Sequence, residues 1–157
     1  MTYSIEDMVI DRTDADVDTA KKLRKDVVQE GKALTNEQIE QIEKGSCTVN
    51  VLNRIEGKQK ELNDLLLSYA YMANLKNKTD WQYNDTFTYQ DHQRILENLD
   101  KLINAFFRYP TTPNVPKYLF SWQNANDVEK ILVDIEMMIG DMEERFRECG
   151  TFECGEV

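Results

Sequence analysis

The stretch TVNVLNRIEGKQKELNDLL, residues 48–66, returns 40 positions later as TYQDHQRILENLDKLINAF, residues 88–106. Each copy opens on a threonine whose hydroxyl can cap a helix. Each meets an arginine six residues on and then an isoleucine: Arg54-Ile55 and Arg94-Ile95. Apolar residues follow at three- and four-residue spacing, through Leu62 and Leu66 in one copy and Leu102 and Phe106 in the other. That period belongs to an amphipathic helix. Aligned from Asn124 as a cap, a third copy places Lys130 and Ile131 in register, then Ile135, Met138 and Met142. Aromatic leaders, DWQYNDTF and KYLFSWQ, precede two of the caps. Periods of 40 and 36 residues fall in the range of repeat architectures. One such helix cannot bury its own stripe, and neighbours bury it for each other. Amphipathic stripes also align by chance, and that alternative stays open, above all for the third copy.

Working outward, caps place two further helices upstream. Thr13, with Asp16 in the box position, opens a helix ended by Gly31, with Val17, Ala20, Leu23 and Val27 as its stripe and Val28 at the stripe's edge. Thr35, with Gln38, opens a short helix that Gly45 stops, with Ile39 and Ile42 expected to face inward. The expected fold is all-α, a bundle or array of about five helices, three of them long and repeat-like. The long helices are expected over about 48–73, 88–109 and 124–148. Residues 1–46 form an N-terminal helical segment, 47–148 the repeat-like body and 149–157 an extended tail. All three prolines lie in PTTPNVPKYLF, which reads as an extended connector.

The net charge is −10, with 29 acidic and 19 basic residues. Residues 127–157 hold 10 of the acids and only 3 bases. A chain without a basic stripe is not built for phosphate contacts, so no nucleic-acid partner is expected. No apolar run approaches the roughly 20 residues of a membrane span, so no membrane insertion is expected. The N-terminus MTYSIEDMVIDRTD lacks the apolar core of a secretion signal, which points to synthesis in a cytoplasm.

Chemistry finds little purchase. His92 is the only histidine and falls on the apolar side of its helix, as a structural residue. No nucleophile motif accompanies it. Cys149 and Cys154 are weak candidates for metal ligands, with Cys47 or His92 as a third. The bland reading makes them an apolar patch with Phe152. No catalytic residue, cofactor or enzyme activity is expected. The residues expected at an interface are Arg54, Arg94, Trp81, Tyr83, Phe87, Tyr118, Phe120, Trp122 and Phe152, since aromatic and arginine side chains are enriched at protein contacts. If the two arginines have a structural job, it is ion pairing to a neighbouring helix.

Three phrases carry a resemblance. DRTDADVDTAKKL, ALTNEQIEQIEKG and VLNRIEGKQKEL occur in that order. They resemble a family of small structural proteins encoded in phages and prophages of Firmicutes, related parts of which occur in contractile bacteriocins. The matching positions are Asp11, Arg12, Thr13, Asp16 and Val17, then Leu34, Thr35 and Gly45, then Leu52 to Glu56. The ending CGTFECGE is also similar to that family. The sequence departs from it at Gly45-Ser46-Cys47, where Lys-Gly-Ala-Tyr-Asn is more usual. The resemblance implies a virion protein near the tail, baseplate or fibre genes, a homo-oligomer that binds other particle proteins. A second reading is a cytoplasmic binding module, an assembly chaperone or regulator, whose acidic last third shields a basic partner. A third is a metal-dependent enzyme using the cysteines.

Overall fold

The computed structural model describes residues 3–119 and 121–149, with the backbone alone for 148 and 149. Five α-helices carry it: α1 (Asp14–Glu30), α2 (Asn36–Gly45), α3 (Val49–Ser68), α4 (Tyr89–Ala105) and α5 (Trp122–Cys149). A 3-10 turn at Ile5–Asp7 precedes them, and no strand occurs among the described residues. The all-α bundle read from the sequence is therefore the fold. Thr13, Thr35, Thr48 and Thr88 cap α1 to α4, each accepting from a backbone amide three residues on.

The three long helices run parallel. Arg54, Lys58 and Tyr69 of α3 and its C-cap pair in order with Glu129, Glu136 and Glu143 of α5. Glu56 and Gln59 of α3 meet Arg94 and Asn98 of α4 in the same sense. Parallel neighbours require long returns, and each return descends a groove between two helices. Residues 76–81 pass Asn98 and Gln59, then Glu56, then Asn53, and so fill the α3–α4 groove. Tyr109, Thr112 and Leu119 pass Asp141, Asp134 and His92, and so fill the α4–α5 groove. Tyr3, Val9 and Arg12 pass Glu61, Glu129 and Asn126 in the α3–α5 groove. Three helices and three descending segments thus alternate around one core. That core holds Ile55, Leu62, Leu66, Ile95, Leu99, Leu102, Leu132, Ile135 and Ile139, each almost fully buried. Each such side chain contributes about 1.5–3 kcal/mol by leaving water.

Several boundaries differ from expectation. α3 ends at Ser68, not Ala73, because Ala70 and Asn74 take left-handed backbone (φ 66 and 53) and fold Ala73 into the core. α4 ends at Ala105, not Tyr109, because Phe106 is extended and lies edge-on to Tyr71 at 5.0 Å. α5 begins at Trp122, two residues before the expected start. Ser121 caps it: its hydroxyl accepts from the Asn124 amide at 3.1 Å and its carbonyl from the Ala125 amide at 3.0 Å. Asn124 instead donates to the Tyr118 carbonyl. At the far end Cys149 belongs to α5 rather than to a tail, and 150–157 lie outside the described residues.

The early start of α5 corrects the repeat. Its caps are Thr48, Thr88 and Ser121, spaced 40 and 33 residues. In this register Ile55, Ile95 and Val128 correspond, as do Gln59/Leu99/Leu132, Leu62/Leu102/Ile135 and Leu66/Phe106/Ile139, and all twelve are buried. The counterpart of Arg54 and Arg94 is then Asp127, not Lys130. A helical stripe survives a three-residue slip, so apolar spacing alone does not separate the two registers.

Residues 3–12 also belong to the body, so the N-terminal boundary at 46 is corrected. What stands apart is the α1–α2 hairpin, inserted between the first descending segment and α3. Only Ala20 and Ile42 are buried along its two helices, and neither joins the main core. The hairpin closes tightly at its base. A Cβ on Gly45 would lie 2.1 Å from the Asp16 carbonyl oxygen.

Candidate functional site

The sequence writes Asn-x-x-Glu twice, five and eight residues after a cap: Asn53 and Glu56 after Thr48, Asn126 and Glu129 after Ser121. Those spacings put both side chains on one helix face, over one groove. The two copies are wired alike. Asn53 exchanges two hydrogen bonds with the backbone of Trp81, at 2.8 and 3.1 Å. Asn126 does the same with Arg12, at 3.1 Å each. Glu56 accepts from the Lys78 amide at 2.7 Å and Glu129 from the Val9 amide at 2.5 Å, in each case three residues earlier on the descending segment. Glu56 also accepts from Trp81 Nε1 (2.9 Å), and Glu129 from Arg12 Nη2 (2.5 Å). The arginine six residues after the neighbouring helix's cap completes each site: Arg94 on Glu56 at 2.7 Å and Arg54 on Glu129 at 2.9 Å. Both glutamates are fully buried.

At the third site the same places hold Gln93, Leu96 and Asp127. There the buried Leu96 and Leu119 pack apolar surface instead, and the Leu119 amide donates to His92 Nε2 at 2.7 Å. That bond leaves the proton of the neutral ring on Nδ1. Burial depresses the His92 pKa below its ordinary value. The rings of Tyr89 and Tyr118 stack on it at 6.0 and 6.4 Å.

Two residues expected at an interface are therefore internal. Arg54 is 9% exposed and Trp81 3%, both engaged within the chain. The sequence treated them as surface groups because arginine and a tryptophan in a connector are usually solvated. Ion pairing to a neighbouring helix, the structural role set out for the arginines, is what both perform, but in buried sites. Arg94 is half-buried on Glu56 and Asp91. Burial pushes the Asp91 carboxyl up, yet the Thr88 hydroxyl and amide and the Arg94 guanidinium outweigh it and hold the pKa at about 2. Phe87 packs on Trp81 at 5.7 Å, and Trp122 donates to Asp14 at 2.7 Å. Tyr83 and Tyr118 are exposed. Phe120, Phe152 and Cys154 lie outside the described residues, as does the side chain of Cys149. Among the described residues no three metal-ligating side chains converge.

An apolar concavity lies at the other end of the body. A groove of about 560 Å³ runs between Tyr71, Phe106, Phe107, Met138, Met142 and Phe146. Phe107 and Phe146 are 68% and 63% exposed on its rim. The Tyr109 hydroxyl donates to Asp141 beside it, and that bond pushes the phenol pKa up to about 12. Met138, Met142 and Phe146 stand four residues apart on α5, a spacing that could have revealed the groove from sequence. Methionine and aromatic side chains adapt to apolar partners. Comparison with family models, with curated proteins and with solved structures finds no match.

Proposed function

We propose that the chain is a non-enzymatic structural component of a phage or phage-like particle, a helical adaptor or spacer in the tail, baseplate or fibre-attachment region. The observation that carries this reading is where the family-like phrases lead. Arg12 of Asp-Arg-Thr and Arg54 of Asn-Arg-Ile-Glu converge on one buried carboxylate, Glu129. Glu56, from the second phrase, anchors the matching site on α4. Residues that resemble the family's motifs thus serve rigidity, the property a spacer needs. The apolar groove at the body's end supplies a contact for a neighbouring protein. A chaperone for a basic partner is less well supported, because Glu129 and Asp134 are buried and the acidic surface of α5 is smaller than its composition suggests.

The test is mass spectrometry and electron microscopy of particles purified from a host that expresses the gene. Stoichiometric presence of the chain in particles is expected, with Phe107→Ser and Phe146→Ser reducing incorporation while the protein stays folded. Absence from particles overturns the reading.

A further inference from the structure

The α1–α2 hairpin is the one element the threefold plan of the body does not call for. It adds nothing to the main core, and it leaves apolar side chains in water: Val28 is 83% exposed and Ile39 42%. The charges around those two residues differ in sign. On α1, Lys21 and Arg24 precede Val28 by seven and four residues and share its helix face. On α2, Glu43 stands four residues after Ile39 and shares its face, and Glu40, three residues before Glu43, borders that face. Glu43 takes a hydrogen bond from Asn50, and Lys21 pairs only with Asp18 of its own helix. Neither base of α1 bonds either acid of α2 within the chain. The contact of Gly45 with Asp16 and Ala20 fixes how the two helices are rotated against each other. With 3.6 residues per turn, Val28 and Ile39 then turn to the same side of the hairpin.

We propose that this hairpin is a self-association arm. It lies against the hairpin of a second copy, with α1 of each chain over α2 of the other. Val28 then covers the partner's Ile39, and the Lys21–Arg24 pair of one chain faces the Glu40–Glu43 pair of the other. A face that carries one sign on each helix is complementary to itself under a twofold rotation, the geometry of an isologous dimer. Four hairpin helices together bury stripes that two leave half open. The proposal rests on the structural role argued above and names a surface through which copies of the chain meet.

The experiment is light scattering and sedimentation of the full chain over a concentration series, at low and high salt. The wild type is expected to dimerise, more weakly as salt rises. K21E/R24E and E40K/E43K are each expected to weaken self-association by about tenfold or more, and an equimolar mixture of the two to restore it as a heterodimer. Val28→Glu tests the apolar half of the contact at a side chain that lies mostly in water within the chain, so it does not threaten folding; it too is expected to weaken the dimer. A wild type that stays monomeric, or a dimer that neither reversal weakens, overturns the arm. Either result leaves the structural role standing if the chain is still found in particles. Absence from particles with an intact, charge-sensitive dimer overturns that role alone.

Discussion

Replacing Glu129 by glutamine removes the charge on which Arg12 and Arg54 converge while keeping nearly the same volume. In the folded chain the carboxylate accepts from Arg12 Nη2 at 2.5 Å, Arg54 Nη2 at 2.9 Å and the Val9 amide at 2.5 Å. The two guanidiniums are 4% and 9% exposed at the residue level, and Arg54 Nε has no partner of its own. Glu129→Gln therefore leaves two buried cations facing one neutral amide. Removing one partner of a buried ion pair costs about 3–5 kcal/mol. For a domain of this size that corresponds to a fall in Tm of about 6–20 °C. Urea unfolding followed by far-ultraviolet circular dichroism measures the loss. A triple variant, Arg12→Met, Arg54→Leu and Glu129→Leu, supplies the counter-measurement, because replacing a whole buried ionic cluster by apolar side chains is often neutral or stabilising. The reasoning fails if Glu129→Gln costs less than about 1 kcal/mol, the value of a solvated surface pair. It fails equally if the triple variant is as damaged as the single one, since the cost would then come from packing rather than from stranded charge.

Stability should also fall in acid through His92. Its folded pKa lies below the ordinary 6.5, so folding favours the neutral ring; the contribution is present above 6.5 and declines as pH drops through that value towards the folded pKa. Urea midpoints at neutral and mildly acidic pH should lie closer together in His92→Gln than in the wild type. Gly45→Ala drives a methyl against the Asp16 carbonyl, and a cost of about 1–3 kcal/mol, localised to the hairpin by faster amide exchange in α1 and α2, is expected. Trp81→Phe deletes the indole donor to Glu56 while keeping an aromatic ring against Phe87, so a loss of about 1.5–3 kcal/mol is expected by thermal unfolding.

The helices were legible because caps and stripes are local. Thr13, Thr35, Thr48 and Thr88 sit where their hydroxyls bond amides three residues on, and the chain must supply those bonds wherever a helix begins. Helix ends were less legible. Left-handed Ala70 is chosen by the packing of Ala73 and Tyr71, which no local pattern records. The first residue of α5 was missed because Asn124 looks like a better cap than Ser121, and the difference lies in where the descending segment arrives. Buried charge was the least legible of all. Lys58, Glu56 and Glu129 are fully buried, yet a periodicity reading assigns such residues to solvent. Their partners are brought from residues 22 to 120 positions away in the chain, so only the Asn-x-x-Glu spacing, seen twice, hints at the arrangement.

Parallel alignment has an electrical consequence. In an up-and-down bundle the peptide dipoles of neighbouring helices cancel; in α3, α4 and α5 they point the same way and add. Each helix places about half a positive charge at its start and half a negative charge at its end. The capped end of the body is therefore electropositive in its backbone, and the end with the apolar groove is electronegative. Such a body is a polarised rod whose two ends attract each other and repel their own kind. Any row of copies joined end to end would have a direction, set by the backbone before a single side chain makes contact.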